Sequence, residues 1–584
     1  MAEYLLKVWC IMALILGYCF PAFPENEIPE NGKESPAIRD ETFTVITRED
    51  IKSLGVHSIM ELLNQVAGVK ATETSVSLRG TASKQVVVFL DGRPLNNPLT
   101  GSVNLWTVSI HNIEKIEISK GTGSALYGAG TGGIIKITTK RITKRPEGKA
   151  EVSYGKFDTQ KYDLNYHQKI GEFGCLIAGS FDKSHGYRKN SDSDKKAGTL
   201  KLNYRLKEES NLSLSLNYSK KESESPGRID HPTPNASYNK EEWGTIIDYQ
   251  RKDWETEIYC SGYDKRTKNP DISLDYLMKS NLLGVDIKNV FDIPYLGDFI
   301  LGTEVRRSKV DASKIGDHEE DEFALYGEKE FRFGNFPLSL SLGLRGRYHT
   351  DYDFALSPQL TISYPLGKGK ADFSVNRAAT IPTFYERYYK STFVQGNLNL
   401  KEEEATNYNL TVGYRFNESL KGNLSFFFSD IDDLITNQEG KDLVWRYINL
   451  KDTSRKGTEL ETEIDLFEKI KLTVAYTYLI AKNDDTGKYI INRPKHEMNI
   501  RLRYSLFDKF IFYLNDRYTS KRFTDHENTE YLAEYNLLDF EVNYFIKKNK
   551  LFFKVDNILG EEYQVHKKYP QPKTTYTLGM TCEF

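Results

Sequence analysis

From Pro146 to the last residue, one pattern governs the chain: apolar side chains fall at every second position. Leu212, Leu214, Leu216 and Tyr218 alternate with Ser213, Ser215 and Asn217. Leu338, Leu340, Leu342 and Leu344 alternate with Ser339, Ser341 and Gly343, and Leu472, Val474, Tyr476 and Tyr478 repeat the theme. A period of two sends the two sets to opposite faces of a β-strand. The apolar face needs a partner, which is the core in a soluble sandwich and lipid in a membrane barrel.

The punctuation favours the barrel. Short polar links recur near Gly171, Glu208, Lys252, Tyr295, Gly334, Gly367, Asn417, Glu468, Asp508 and Lys548. Longer, more polar segments lie between them, such as 183–198, 222–243 and 382–399. Short turns at one end and long loops at the other are the habit of a transmembrane barrel. Ten short turns imply eleven hairpins and 22 strands. Residues 146–584 then supply roughly 20 residues per strand with its share of loop, which suits tilted spans of about 10 residues. A sandwich seldom reaches such a count.

Composition enters as a check. Charged residues make up 28% and mean hydropathy is −0.54, which excludes a bundle of membrane-spanning helices. Aromatics reach 12%, with 37 Tyr against 5 Trp, as expected where aromatic girdles mark the membrane interfaces. Lys and Arg (79) nearly balance Asp and Glu (82), so no field for nucleic acid exists.

The N-terminal quarter reads differently. Residues 1–22 form a secretory signal, with Lys7 before an apolar run too short to span a bilayer. Residues 23–40 are a flexible leader rich in Pro, Glu and Asn. Residues 41–145 form a compact α+β unit, with helical spacing from Ile51 to Val66 and strands at Val86–Leu90, Ile113–Ser119 and Ile134–Thr138. Beyond the signal, Cys175, Cys260 and Cys582 are spaced too widely for a disulfide framework or a zinc site and read as wall residues.

The sequence resembles the TonB-dependent receptor family over its mature length. The resemblance rests on FTVITREDI (43–51), Ala67-Gly68-Val69, Leu78-Arg79-Gly80, VVFLDGRP (87–94), IEKIEIS (113–119) and SALYGAGTGGIIKI (124–137), in the family's order. In the barrel it rests on Gly302-Thr303-Glu304, Ser357 to Leu360, RAATIPTFY (377–385), GNLNL (396–400) and DIDDLI (430–435). The plug is most similar to those of vitamin B12 and catecholate-siderophore receptors.

The resemblance implies a 22-stranded antiparallel barrel in the bacterial outer membrane, with an N-terminal α+β plug inside the lumen. It implies uptake of a ferric siderophore or related metal chelate, with cobalamin as the second choice. TonB of the inner-membrane motor would pull the N-terminal segment, where ETFTV (41–45) carries the coupling letters but runs straight into the first plug strand. The alternation Tyr576, Leu578, Met580, Cys582, Phe584 looks like the signal read by the barrel-assembly machinery. Ligand contacts carried over from the family's apical loops are Thr72, Glu73, Thr74, Asn96, Asn97, Leu99 and Thr100. Arg79 is expected to anchor the plug on acidic wall residues. Asp192 and Asp194, with Asp182 upstream, resemble a calcium-binding loop, although Lys195 and Lys196 adjoin them and six or more oxygens are needed.

Rival chemistries fare worse. Gly121, Gly123, Gly128, Gly130, Gly132 and Gly133 lack the Lys-Ser/Thr of a phosphate cradle and read as glycines packing plug against barrel. No His stands between Arg377–Tyr385 and Gly396–Leu400, which argues against haem, while Tyr385, Tyr388, Tyr389 and Phe393 offer flat surfaces there. No Ser-His-Asp grouping suggests an enzyme. A barrel enzyme or a passive pore has no use for about 100 residues stopping its lumen.

Overall fold

The computed structural model describes residues 44–121, 125–128, 130–206, 210–293, 297–333, 336–507 and 509–584. The signal, the leader, Glu41 to Phe43, Gly123, Ser124 and the turn centres at Glu208, Tyr295, Gly334 and Asp508 lie outside these residues.

Among the described residues, 22 antiparallel strands close into a barrel, from Glu147–Gly155 round to Thr575–Glu583, which pairs back onto the first. All ten expected links fall between hydrogen-bonded neighbours, for example Thr159–Ile170 with Phe173–Ser184 across Gly171. The alternation resolves as expected. Leu216, Tyr218, Leu342 and Leu344 stand exposed on the outer wall, while Ser215 and Ser219 face the lumen. Cys175, Cys260 and Cys582 are free thiols on barrel strands.

Two of the long polar segments are shorter as loops than their sequences suggest. Strands run on to Ser184 and resume at Ser193, and run on to Glu224 and resume at Ser237. Pairing continues above the apolar band, where rim residues are polar on both faces and therefore read as loop.

The plug has its own sheet, in the order β1 (Thr44–Thr47), β6 (Ile113–Lys120), β7 (Gly133–Thr139), β4 (Val86–Leu90), β5 (Arg93–Pro94). The hairpins β2 (Val69–Ala71) and β3 (Val76–Leu78) stand apart. Asp91-Gly92, both with positive φ, make the tight β4–β5 turn. Ile59, Leu62, Leu63, Leu78, Val88, Ile116 and Ile135 form a dry core within the plug.

One correction concerns its helix. The helical spacing from Ile51 to Val66 is split into α1 (Arg48–Leu54) and α2 (Ile59–Leu63). Thr47 caps α1 through a reciprocal capping box with Asp50, Gly55 ends it at φ 62°, and Ser58 caps α2. Periodicity survives the break because both short helices turn the same apolar face to the same core.

Candidate functional site

Plug and wall meet through ion pairs whose members lie from 94 to 493 residues apart in sequence. Arg79 (φ 50°) and Gly80 (φ 74°) form a left-handed kink after β3 that turns the Arg79 side chain to the wall. Arg79 Nε donates to Glu459 Oε1 at 3.0 Å, and Nη2 donates to Oε2 at 2.9 Å. Its Nη1 donates to the Lys120 carbonyl at 2.9 Å, and its guanidinium lies 4.3 Å from the Phe427 ring centre. Lys120 adds contacts of 3.1 Å to Glu459 and 3.5 Å to Glu461, whose Oε1 also accepts from the Ala67 N–H. Arg79, the residue singled out from the sequence for the plug, thus pairs with Glu459 of the wall.

A second anchor sits in the α1–α2 break. His57 Nδ1 lies 3.2 Å from Glu151 and Nε2 lies 3.2 Å from Glu541, both on barrel strands. Burial by itself would lower the His57 pKa, but the two carboxylates outweigh it and raise it to about 9. Beside it, Glu61 pairs with Lys554 at 2.8 Å; burial opposes ionisation, yet Lys554 and His57 hold this carboxyl far below its usual range. A third anchor joins plug, wall and loop: Lys84 Nζ lies 2.7 Å from Glu386 and 2.8 Å from Glu403.

At the long-loop end the chain between Thr380 and Glu403 folds inward onto the plug. Its helix α3 (Phe384–Tyr388), capped by Thr383, lays Phe384 against Leu99. The Tyr385 N–H donates to the Leu99 carbonyl at 2.9 Å. Tyr385 stacks on Tyr389 at 4.3 Å, meets Tyr447 edge-on at 6.3 Å, and shares this region with Tyr276 and Tyr388. Phe393 stands 71% exposed at the loop's crest. The tyrosines singled out from the sequence thus form an aromatic roof over the plug apex.

The apical residues come together beneath it. The Val103 and Leu105 N–H groups donate to the Thr74 and Glu73 carbonyls, which ties the 72–75 loop to the 96–105 loop. Glu73 is held by Lys195 and by Lys221 (2.7 Å) of the wall; burial opposes its charge, but the two ammoniums keep its pKa far below the usual range. Thr72 Oγ1 pairs with Ser75 Oγ, and Thr100 Oγ1 with Ser102 Oγ, both at 2.8 Å. Thr74 is exposed. Asn96 turns inward, accepting from the Val88 N–H and donating to the Val86 carbonyl. Asn97 accepts from the Leu99 N–H at 2.8 Å and from Ser280 at 3.1 Å, and Leu99 is fully buried under the roof. Arg93 is buried against Gly244 of the wall.

Among the plug glycines, Gly128 faces Arg345 of the wall, and Gly121 lies between Arg79 and Asn407 of the wall. Gly130 and Gly133 make their closest approaches within the plug: an added Cβ would lie 2.4 Å from the Gln85 carbonyl and 2.2 Å from that of Ser119. Asp182 and Asp194 each face a lysine, Lys195 (3.7 Å) and Lys196 (3.6 Å), and Asp192 faces the His185 ring (3.0 Å). Asp192 and Asp194 also line an open cavity of about 220 Å³ with Glu222 and Glu224.

Reading the sequence missed Glu459, Glu461, Glu403, Lys84 and His57. For the wall acids a signal existed: Arg455, Glu459, Glu461 and Glu463 occupy the lumen-facing parity of one strand, where a charge needs a partner from the plug.

A 22-stranded barrel stopped by a separately folded domain and fastened to it by ion pairs defines a plugged receptor of the outer membrane. Residues 39–134 match the TonB-dependent receptor plug domain, and residues 145–558 match the TonB-dependent receptor-like β-barrel. The chain belongs to the TonB-dependent receptor family. It is 23% identical to the vitamin B12 transporter BtuB of Photobacterium profundum, across 93% of this chain and 92% of that protein. It is 22% identical to the iron-regulated outer membrane virulence protein of Vibrio cholerae, with the same coverage. Among solved structures, the siderophore receptor PirA of Acinetobacter baumannii superposes with a TM-score of 0.79 at 16% identity, covering 93% of this chain and 98% of that one. The ferric enterobactin receptor PfeA of Pseudomonas aeruginosa does so at 0.78 and 17%, covering 93% and 99%.

Proposed function

We propose that this receptor takes up a ferric siderophore or related metal chelate, and that TonB supplies the work through the N-terminal segment. The observation that carries the reading is the aromatic roof of Tyr385, Tyr389 and Tyr447 over the plug apex, since ring faces suit a flat, aromatic chelate. The coupling half rests on β1. It is an edge strand of the plug sheet, paired among the described residues with β6 alone, and continuous in sequence with the leader. A pull on the leader loads β1 before any other strand.

Cobalamin is the second reading, favoured by the several vitamin B12 transporters that match at 23–24% identity over nine-tenths of the chain. Binding of purified receptor to ferric siderophores, cobalamins and simple metal chelates separates the two. A ferric chelate bound in preference supports the first reading, a corrinoid alone replaces it with the second, and no binding at all sinks both. Deletion of residues 23–45 leaves binding intact and stops transport if the N-terminal segment is the handle.

A further inference from the structure

Beneath the Arg79–Glu459 clamp lies a cavity of about 520 Å³ between plug and wall, the size in which a drug-sized molecule is usually buried. The clamp residues Arg79, Lys120, Glu459 and Glu461 form its ceiling, and β1 contributes Thr44 to Ile46 from the plug side. The wall side is made of strand ends next to the short turns at 418–419 and 467–469, so the cavity opens toward the periplasmic end. Its lining carries eight cationic and five anionic side chains.

The surplus is concentrated. Lys370, Lys421 and Lys471 each have a carboxylate partner at 2.7–3.0 Å. Arg501 and Arg503, successive lumen-facing residues of the His496–Leu506 strand, have none among the described residues, and the Nε of each is buried without a hydrogen-bond partner. Arg501 is only 8% exposed and rests over the Tyr513 ring. The nearest acids of the plug–wall seam, Glu61 and Glu541, are already taken by Lys554 and His57. Buried guanidiniums are normally paired, because an isolated buried charge is costly. An unpaired pair lining a ligand-sized cavity is a place where a mobile anion gains most.

The same wall continues the pattern above the ceiling. Arg455, two steps of alternation beyond Glu459 toward the long-loop end, is 6% exposed, and its Nε is unpartnered. Arg493, whose side chain packs against Gly80, also has an unpartnered Nε. Guanidiniums with an unpartnered Nε therefore flank the clamp on both sides, and the wall acids at the level of the clamp, Glu459, Glu461 and Glu497, pair with Arg79, Lys120 and Lys70 of the plug.

We infer that this cavity is the exit chamber for the ligand and that the ligand carries net negative charge. Resting on the importer reading above, the inference adds a route and a ligand charge class: a polyanionic chelate of the triscatecholate type, passing along the wall between residues 453 and 503. When the clamp is drawn aside with the plug, the anion moves from Arg455 and Arg493 down to Arg501 and Arg503, always within reach of a fixed cation.

Two experiments test it on the full-length receptor. The first places a thiol in the chamber by Thr473→Cys, opposite Arg501 in the strand register, and compares anionic with cationic methanethiosulfonate reagents. The unsubstituted protein gives the background of the three wall cysteines. A field from two unpaired guanidiniums favours the anionic reagent by about tenfold, and Arg501→Gln with Arg503→Gln removes the preference. Equal rates for both reagents overturn the inference. The second measures energised uptake and equilibrium binding of a ferric triscatecholate (anionic) and a ferric trihydroxamate (neutral). The Gln pair should lower uptake of the anion about tenfold with binding unchanged, while Lys at both positions restores it. Undiminished uptake, or equal loss for the neutral chelate, overturns the exit chamber. If unsubstituted receptor binds no ferric chelate or corrinoid, the importer reading has failed, and the thiol rates still judge the chamber's charge.

Discussion

Arg79 and Glu459 stand 380 positions apart in sequence and meet in a two-point ion pair, with Nε and Nη2 of one guanidinium each on a separate oxygen of one carboxylate. This geometry uses the planar fork of arginine fully, and Lys could not reproduce it. Glu459→Ala leaves Arg79 buried without its carboxylate and Lys120 with only its 3.5 Å contact to Glu461, which costs plug stability about 3–5 kcal/mol. Denaturant titration followed by Trp106, which lies in the plug, reads this directly. The Arg79→Ala/Glu459→Ala double variant should cost less than the sum of the single changes. Additive losses would mean that the two side chains are not coupled.

The His57 anchor has a pH signature. Its folded-state pKa is raised to about 9 from 6.5, so its contribution is complete below 6.5, persists through neutrality and disappears as pH rises through 9. The span corresponds to about 3 kcal/mol for this nearly buried ring. His57→Gln should therefore destabilise the plug at pH 6 and leave it unchanged well above pH 9. The measurement is plug unfolding by denaturant across that range for both proteins. A constant difference between them would show that the ring acts by packing on Phe552 and not by charge.

Glu73 makes the opposite prediction. Its carboxyl is held below the usual range by Lys195 and Lys221, so the contact persists to acidic pH and is lost only as pH falls through that depressed value. Glu73→Gln should speed hydrogen exchange at the 72–75 loop and at Val103 and Leu105, whose N–H groups bond to it. Exchange near His57 should not change. A uniform rise across the plug would instead indicate global loosening.

At the barrel seam, Phe584 and Gly148 exchange backbone hydrogen bonds of 2.9 and 2.8 Å, and the ring covers the glycine where any Cβ would collide with it. Phe584→Ala should lower the fraction of receptor that reaches the outer membrane as a heat-modifiable barrel. The fraction that does arrive should bind ligand normally. Normal yield would remove the terminal aromatic from barrel assembly.

Much of this architecture is written in local periodicity. The strand count follows from turns such as Gly171 and Gly367, where a positive φ is needed and glycine supplies it. The plug strands at 86–90 and 113–120 follow from unbroken or alternating apolar runs. Where periodicity is indifferent, the reading lost resolution. It could not see that Gly55 divides one helical stretch into two, or that strands continue past the bilayer at Ser184 and Glu224, because rim strands and loops are equally polar.

The sequence by itself determined that a wall of alternating strands encloses a separately folded stopper, since side-chain period and turn chemistry are local properties of the chain. Only the tertiary structure decided which charges meet. Arg79 finds Glu459, His57 finds Glu151 and Glu541, and Arg501 and Arg503 find no carboxylate among the described residues, because barrel closure sets those distances. Coulomb energy depends on separation in space, and a linear chain does not carry that separation in its local pattern.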